Sequence, residues 1–278
     1  MKTAFLGTSR LAQIVLGKLI ESPYRPHLVV TAPDTKADRG QKFRQSPVKQ
    51  TALEHKIALS SQLSAVGHDI DLAILVAYGK LIPKDILSIP KFGFVNVHPS
   101  LLPKYRGPSP IQSAILTGGA NIGVSIIVLD EILDHGPILA QKEVPIENSD
   151  THASLTEKLG VIGADLLIEK LPSYINGSLK AKAQNHSEAT FTKKITKADG
   201  NIDPNNPPDL QALGRMIRAF YPWPGVYAKL KIKDEKLKVI KFLPNNLIQV
   251  EGKRPMTVRD FLNGYPSAKS QLSKLHLS

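Results

Sequence analysis

The sequence predicts an α/β fold built on a parallel sheet, followed by a small β-rich domain. Three observations carry that prediction. Apolar runs that read as strands alternate with stretches of helical spacing through the first 171 residues. Residues 71–77 are almost continuously apolar, as a strand buried on both faces must be. Around residues 185–208 the composition turns polar and rich in proline, asparagine and lysine, and further strand-like runs follow.

Taken in order, residues 3–6 are a first strand, and Gly7-Thr8-Ser9 turns into a helix over residues 11–20. Dinucleotide-binding domains open this way too, but Gly7-Thr8-Ser9-Arg10-Leu11-Ala12 lacks the second and third glycines of their fingerprint. Residues 28–31 are a second strand, ended by Ala32-Pro33-Asp34. A basic loop then leads to a helix over 48–55. Strands at 71–77 and 94–97 come next, then a helix at 111–116 and a strand at 123–130. Helical spacing predicts a long helix over 154–171, stopped by Pro172. Beyond the polar segment, residues 210–220 read as a helix, and 226–233, 236–243 and 246–250 as short strands. The expected organisation is a first domain at 1–184, a linker at 185–208 and a second domain at 209–278. No internal repeat is visible.

The 278 residues are 42% apolar and 22% charged, as in an ordinary globular protein. No apolar run approaches the roughly 20 residues that span a bilayer, and the opening residues read as a strand instead of a signal peptide. With no cysteine, disulfides, thiolate nucleophiles and cysteine-bound zinc are excluded. A cytoplasmic protein is the expectation. The net charge of +12 fits either plain solubility or a polyanionic partner, and the placement of the charge must decide.

Two segments carry chemistry. The first runs Asn96-Val97-His98-Pro99-Ser100-Leu101-Leu102-Pro103-Lys104-Tyr105-Arg106-Gly107. Asn96 and His98 are two apart at a strand end, so their side chains share a face, and open α/β sheets bind ligands beyond such ends. An Asn-x-His pair there is either a catalytic mouth or a structural hydrogen-bonding pair. The second segment is Asp130-Glu131-Ile132-Leu133-Asp134-His135-Gly136-Pro137. It follows the 123–129 strand, so its acids can reach the same edge or form a solvated turn.

Together these segments resemble the formyltetrahydrofolate-dependent formyltransferase family. Its signature looks like Asn96-x-His98 with Ser100-Leu101-Leu102-Pro103 and a later Leu133-Asp134-x-Gly136. The resemblance implies a Rossmann-like N-terminal domain and a small OB-like C-terminal one. It implies that Asn96, His98 and Asp134 are catalytic, and that Ser100, Leu101, Leu102 and Pro103 lie against the folate. It places Tyr78, Gly79, Leu81 and Ile132 at the folate as well. The implied formyl donor is 10-formyltetrahydrofolate, with no metal required.

Further segments are similar to the branch whose members act on initiator methionyl-tRNA. They include Asp38-Arg39-Gly40-Gln41-Lys42-Phe43, Arg106-Gly107-Pro108-Ser109-Pro110-Ile111-Gln112 and Ile217-Arg218-Ala219-Phe220-Tyr221-Pro222-Trp223-Pro224-Gly225. In that branch the basic loop enters the acceptor end of the tRNA, which assigns tRNA contacts to Arg39, Lys42 and Arg44. From residue 201 on, thirteen basic side chains face six acidic ones. Lys229 and Lys231 alternate on a strand and add a phosphate track. Tyr221 and Trp223 read as hinge or core packing. A monomer is implied.

Two departures from the family stand out. Ile132 occupies a position that is usually glycine, which predicts an altered loop, and His135 is placed to tune Asp134. The tail passes through Pro244-Asn245-Asn246 with little room for further strands, so a reduced β module is expected. Rival readings are a formyltransferase for an amino-sugar nucleotide and a non-catalytic relative that binds folate or tRNA.

Overall fold

The computed structural model describes residues 1–36, 43–232 and 236–275. The chain divides into two compact units. One comprises Met1–Pro110, Asn121–Pro145 and Thr156–Lys193, the other Ile111–Ala120, Ile146–Leu155 and Lys194–Ser278. The segment expected as a linker splits between them at Lys193.

Elements up to residue 175 are β1 (Thr3–Gly7), α1 (Arg10–Ile20), β2 (Leu28–Val30), β3 (Thr35–Lys36), β4 (Phe43–Arg44), α2 (Pro47–Glu54), β5 (Ala58–Ser60), β6 (Leu72–Val76), α3 (Lys84–Leu87), β7 (Phe94–His98), α4 (Pro110–Thr117), β8 (Asn121–Val128), β9 (Ile138–Pro145) and α5 (His152–Ile175). Seven strands form the main sheet in the order β5-β2-β1-β6-β7-β8-β9. Pairing is parallel from β5 through β7 and antiparallel at β8 and β9. The sheet is thus mostly parallel, with an antiparallel margin that the apolar runs did not foretell. All five residues of β1 and of β7 are buried. Each large apolar side chain buried this way contributes roughly 1.5–3 kcal/mol.

Local chemistry sets the helix starts. The Ser9 side chain accepts from the Ala12 amide to cap α1, and Ser46 accepts from Lys49 ahead of α2. A β-carbon at Gly7 would stand 2.6 Å from the Ala12 β-carbon and 2.8 Å from the Val76 carbonyl oxygen. Close packing of helix against strand thus explains that glycine. Helix α5 runs past the expected stop at Pro172 to Ile175. Burial of Leu171 and a hydrogen bond from the Tyr174 hydroxyl to the Phe92 carbonyl (2.9 Å) hold the last turn where propensity alone would end it.

The second unit contains α6 (Leu210–Ala219), β10 (Val226–Ile232), β11 (Lys236–Leu243), β12 (Leu247–Val250), β13 (Met256–Thr257), α7 (Val258–Gly264) and α8 (Lys269–Lys274). Its four strands form an antiparallel sheet in sequential order, a small up-and-down module. Inward positions of β10 (Val226, Ala228, Leu230 and Ile232) alternate with polar ones. Tyr221 and Trp223 are exposed, which rules out the core-packing half of the hinge-or-core role expected of them. They stand on the turn at residues 221–224, each directly before a proline, outside the core. Among the described residues, no helix is long and apolar enough to cross a membrane.

Candidate active site

Strand β7 is paired on both sides, so its backbone is rigid, and Asn96 and His98 project from one of its faces. The loop between β8 and β9 brings Asp134 to them. Because β8 runs antiparallel, this loop leaves the sheet beside the amino end of β7, where the Leu129 amide donates to the Phe94 carbonyl (2.8 Å). It then returns across the face bearing Asn96 and His98. Asp134 therefore arrives by crossing that face, and not from a parallel strand end.

All three side chains are buried. The Asn96 Nδ2 lies 3.5 Å from Asp134 Oδ1, and His98 Nδ1 lies 3.4 Å from the same oxygen. The other carboxylate oxygen, Oδ2, accepts from the Gly107 amide at 2.7 Å. His98 Nε2 faces the Tyr105 carbonyl oxygen at 3.1 Å. A carbonyl only accepts, so Nε2 carries a proton and Nδ1 is the nitrogen turned to Asp134. The site thus presents an amide donor, an imidazole nitrogen and a carboxylate oxygen at one point. Such a set can bind a developing oxyanion and transfer a proton.

Asp134 adopts φ 50°, a left-handed conformation that aspartate tolerates better than most residues. Ile132 lies outside the left-handed region, so the strain expected from isoleucine in a glycine position does not arise. The left-handed residue of the loop is Asp134 itself. His135 does not turn to Asp134. Its Nδ1 pairs with Asp130 Oδ2 at 2.6 Å, and its ring stacks on His186 with centroids 3.9 Å apart. Desolvation, then the neighbouring His135 and Arg106, hold the His186 imidazole below its ordinary value, with Asp130 opposing.

The other expected folate residues divide into two sets. Ser100 is fully enclosed, with its hydroxyl donating to the Lys104 carbonyl (2.6 Å). Leu102 is buried too: its amide donates to Ser125 Oγ (2.9 Å), and its carbonyl accepts from Gln141 Nε2 (2.8 Å). These two brace the turn, while Leu101 and Pro103 are half-buried. Tyr78, Gly79 and Leu81 follow β6, which lies parallel beside β7, so both strands open at one edge of the sheet. Tyr78 is buried, and among the described residues its hydroxyl has no partner; burial raises its pKa. Leu81 and Ile132 are exposed.

Of the residues expected to meet tRNA, Arg39 and Lys42 lie outside the described residues. Arg44 is exposed on the β3–β4 hairpin. Lys229 and Lys231 are exposed on the same face of β10.

Sequence reasoning passed over Arg106 as a site residue, and Gln184 and His186 altogether. Arg106 is buried, and its Nη2 donates to Gln184 Oε1 at 2.6 Å and reaches His186 Nδ1 at 2.8 Å. Gln184 donates in turn to the carbonyls of Asp134 (2.9 Å) and Gly136 (2.7 Å). The sequence signal for Arg106 was its place at the head of the 106–112 run that resembles the family. Gln184 carried none.

Residues 1–171 match the family model described as "Formyl transferase", and residues 194–247 match "Formyl transferase, C-terminal domain". A methionyl-tRNA formyltransferase of Methylococcus capsulatus is 35% identical, over 98% of this chain and 99% of that protein. One from a Roseiflexus species is 41% identical, over 86% of this chain and 76% of its own. The fold is shared with an N-formyltransferase of Helicobacter canadensis solved in complex with folinic acid and dTDP-3-aminofucose. There the TM-score is 0.65 at 19% identity, covering 90% of this chain and 95% of that one. Through matches that span both units, this chain belongs to the formyl transferase family.

Proposed function

We propose that this protein transfers the formyl group of 10-formyltetrahydrofolate to the amino group of initiator methionyl-tRNA. The observation that carries the reading is a near end-to-end match to a methionyl-tRNA formyltransferase, joined to the meeting of Asn96, His98 and Asp134 at one point. The sugar-modifying rival rests on structural likeness at 19% identity, which speaks for fold alone.

In this reading the methionyl amine attacks the formyl carbon, and the formyl oxygen takes up negative charge. The Asn96 amide and His98, with a proton on Nδ1 in addition to the one on Nε2, stabilise that oxygen. Donors of this kind typically contribute about 3–4 kcal/mol each, measured by removal. Asp134 takes the proton from the attacking nitrogen and passes it to N10 of the folate as the carbon–nitrogen bond to the folate breaks. The formyl group ends on the amine, and N10 gains the hydrogen.

Arg39, Lys42 and Arg44 take the acceptor end of the tRNA, and Lys229 and Lys231 add phosphate contacts. Tyr78, Gly79, Leu81, Leu101, Pro103 and Ile132 border the folate, with Ser100 and Leu102 bracing the turn behind it. The protein acts in the cytoplasm, as a monomer, without a metal.

Offering the purified protein a 10-formyl folate with either methionyl-tRNA or an amino-sugar nucleotide tests the reading. Formylation of the aminoacyl-tRNA alone is expected. Formylation of the sugar alone would replace the proposed acceptor, and binding without turnover on either would remove catalysis from the account.

A further inference from the structure

The loop that carries Asp134 has a support separate from the three converging side chains. Gln184 is buried in a segment whose neighbours are exposed. Its amide nitrogen donates to two carbonyls of the loop, Asp134 O at 2.9 Å and Gly136 O at 2.7 Å, which uses both amide hydrogens. Its Oε1 accepts from Arg106 Nη2 at 2.6 Å. The second hydrogen of that Nη2 goes to His186 Nδ1 at 2.8 Å. The residue after Arg106, Gly107, donates its backbone N–H to Asp134 Oδ2 at 2.7 Å. Two grips therefore hold Asp134, one on its backbone and one on its carboxylate, and both are anchored at residues 106 and 107.

We propose that Gln184 is a positioning residue for formyl transfer, acting through Asp134. The proposal rests on the reading that Asp134 moves the proton in that reaction. Asp134 sits at φ 50°, away from the conformation aspartate prefers. The Gln184 amide ties down the carbonyls at positions 134 and 136 together, and so sets the turn between them. Without that clamp the loop relaxes and the carboxylate leaves Asn96 and His98. A displacement of about 1 Å at a reacting group costs about 100-fold in rate.

Gln184→Met, which keeps the length and removes all three hydrogen bonds, and Gln184→Glu, which keeps an acceptor for Arg106 but sets oxygen against the two carbonyls, test the proposal. Each is expected to lower kcat about 100-fold, with KM for methionyl-tRNA and for the formyl folate changed less than about threefold. Adding Gln184→Met to Asp134→Asn is expected to change the single-turnover rate less than about twofold, because the clamp then has nothing left to position. A full additive loss in that background, a rise in KM without a fall in kcat, or loss of the unfolding transition in both variants would overturn the proposal in favour of a purely structural role. Wild-type transfer by Asp134→Asn alone would remove the reading beneath it. Wild-type transfer by Gln184→Met beside an impaired Asp134→Asn would overturn this proposal and leave that reading standing.

Discussion

The backbone N–H of Gly107 donates to Asp134 Oδ2 at 2.7 Å, which leaves Oδ1 as the oxygen that faces both Asn96 and His98. One carboxylate is thus divided between a fixed anchor and a working atom. At 3.5 Å and 3.4 Å the contacts of Oδ1 are long, so Asn96 and His98 keep hydrogen-bonding capacity for a substrate oxygen.

Asn96→Ala removes one of the two donors proposed for the formyl oxygen and leaves a small void at β7. Steady-state kinetics should show kcat reduced by about 100- to 1,000-fold, with KM for either substrate little changed. A change confined to KM would assign Asn96 to binding.

Gly136→Ala acts on the same loop by a different route. A β-carbon there would fall on the Val128 carbonyl oxygen, so the turn that presents Asp134 must shift. Transfer is expected to drop about 100-fold, in line with misplacement of a catalytic group. An unchanged kcat in a folded Gly136→Ala protein would show that the position of this loop does not limit the reaction.

Much of this arrangement was legible in the sequence, for identifiable reasons. β1 and β6 announce themselves because strands buried on both faces are almost continuously apolar, and β7 does so through Phe94, Val95 and Val97. Asn96 and His98 share a face by the two-residue period alone. β9 was missed because exposed Gln141, Lys142 and Glu143 interrupt any apolar run. The pairing of His135 with Asp130 was missed because adjacency in sequence suggested Asp134 instead. Gln184 was invisible because its role depends on contacts 48 to 78 positions away along the chain. Helices α7 and α8 are short, and the tail was read only for its strands.

Stability should depend on acid through His152. Burial pushes its imidazole down to about 4 from an ordinary value of 6.5. Between those values the unfolded chain binds a proton that the folded chain rejects, so stability is complete above 6.5 and declines as the pH falls toward 4. The loss approaches about 3 kcal/mol at the lower limit. Thermal unfolding followed across this window should show the decline, and His152→Gln should flatten it.

Lys229 and Lys231 make a prediction about salt. Replacing both with alanine should weaken tRNA binding across sequences and reduce the double-logarithmic salt slope by about one for each lysine lost. An unchanged slope would free that face of β10 from any phosphate contact.

The central claim is that Asp134 works on the reacting centre from a site that both substrates can fill without its charge. Single-turnover transfer from a 10-formyl folate to methionyl-tRNA by Asp134→Asn, with binding of each substrate measured on the same preparation, tests it most directly. The account predicts near-normal binding and a transfer step slower by about 100- to 10,000-fold. Transfer at the wild-type rate would contradict it.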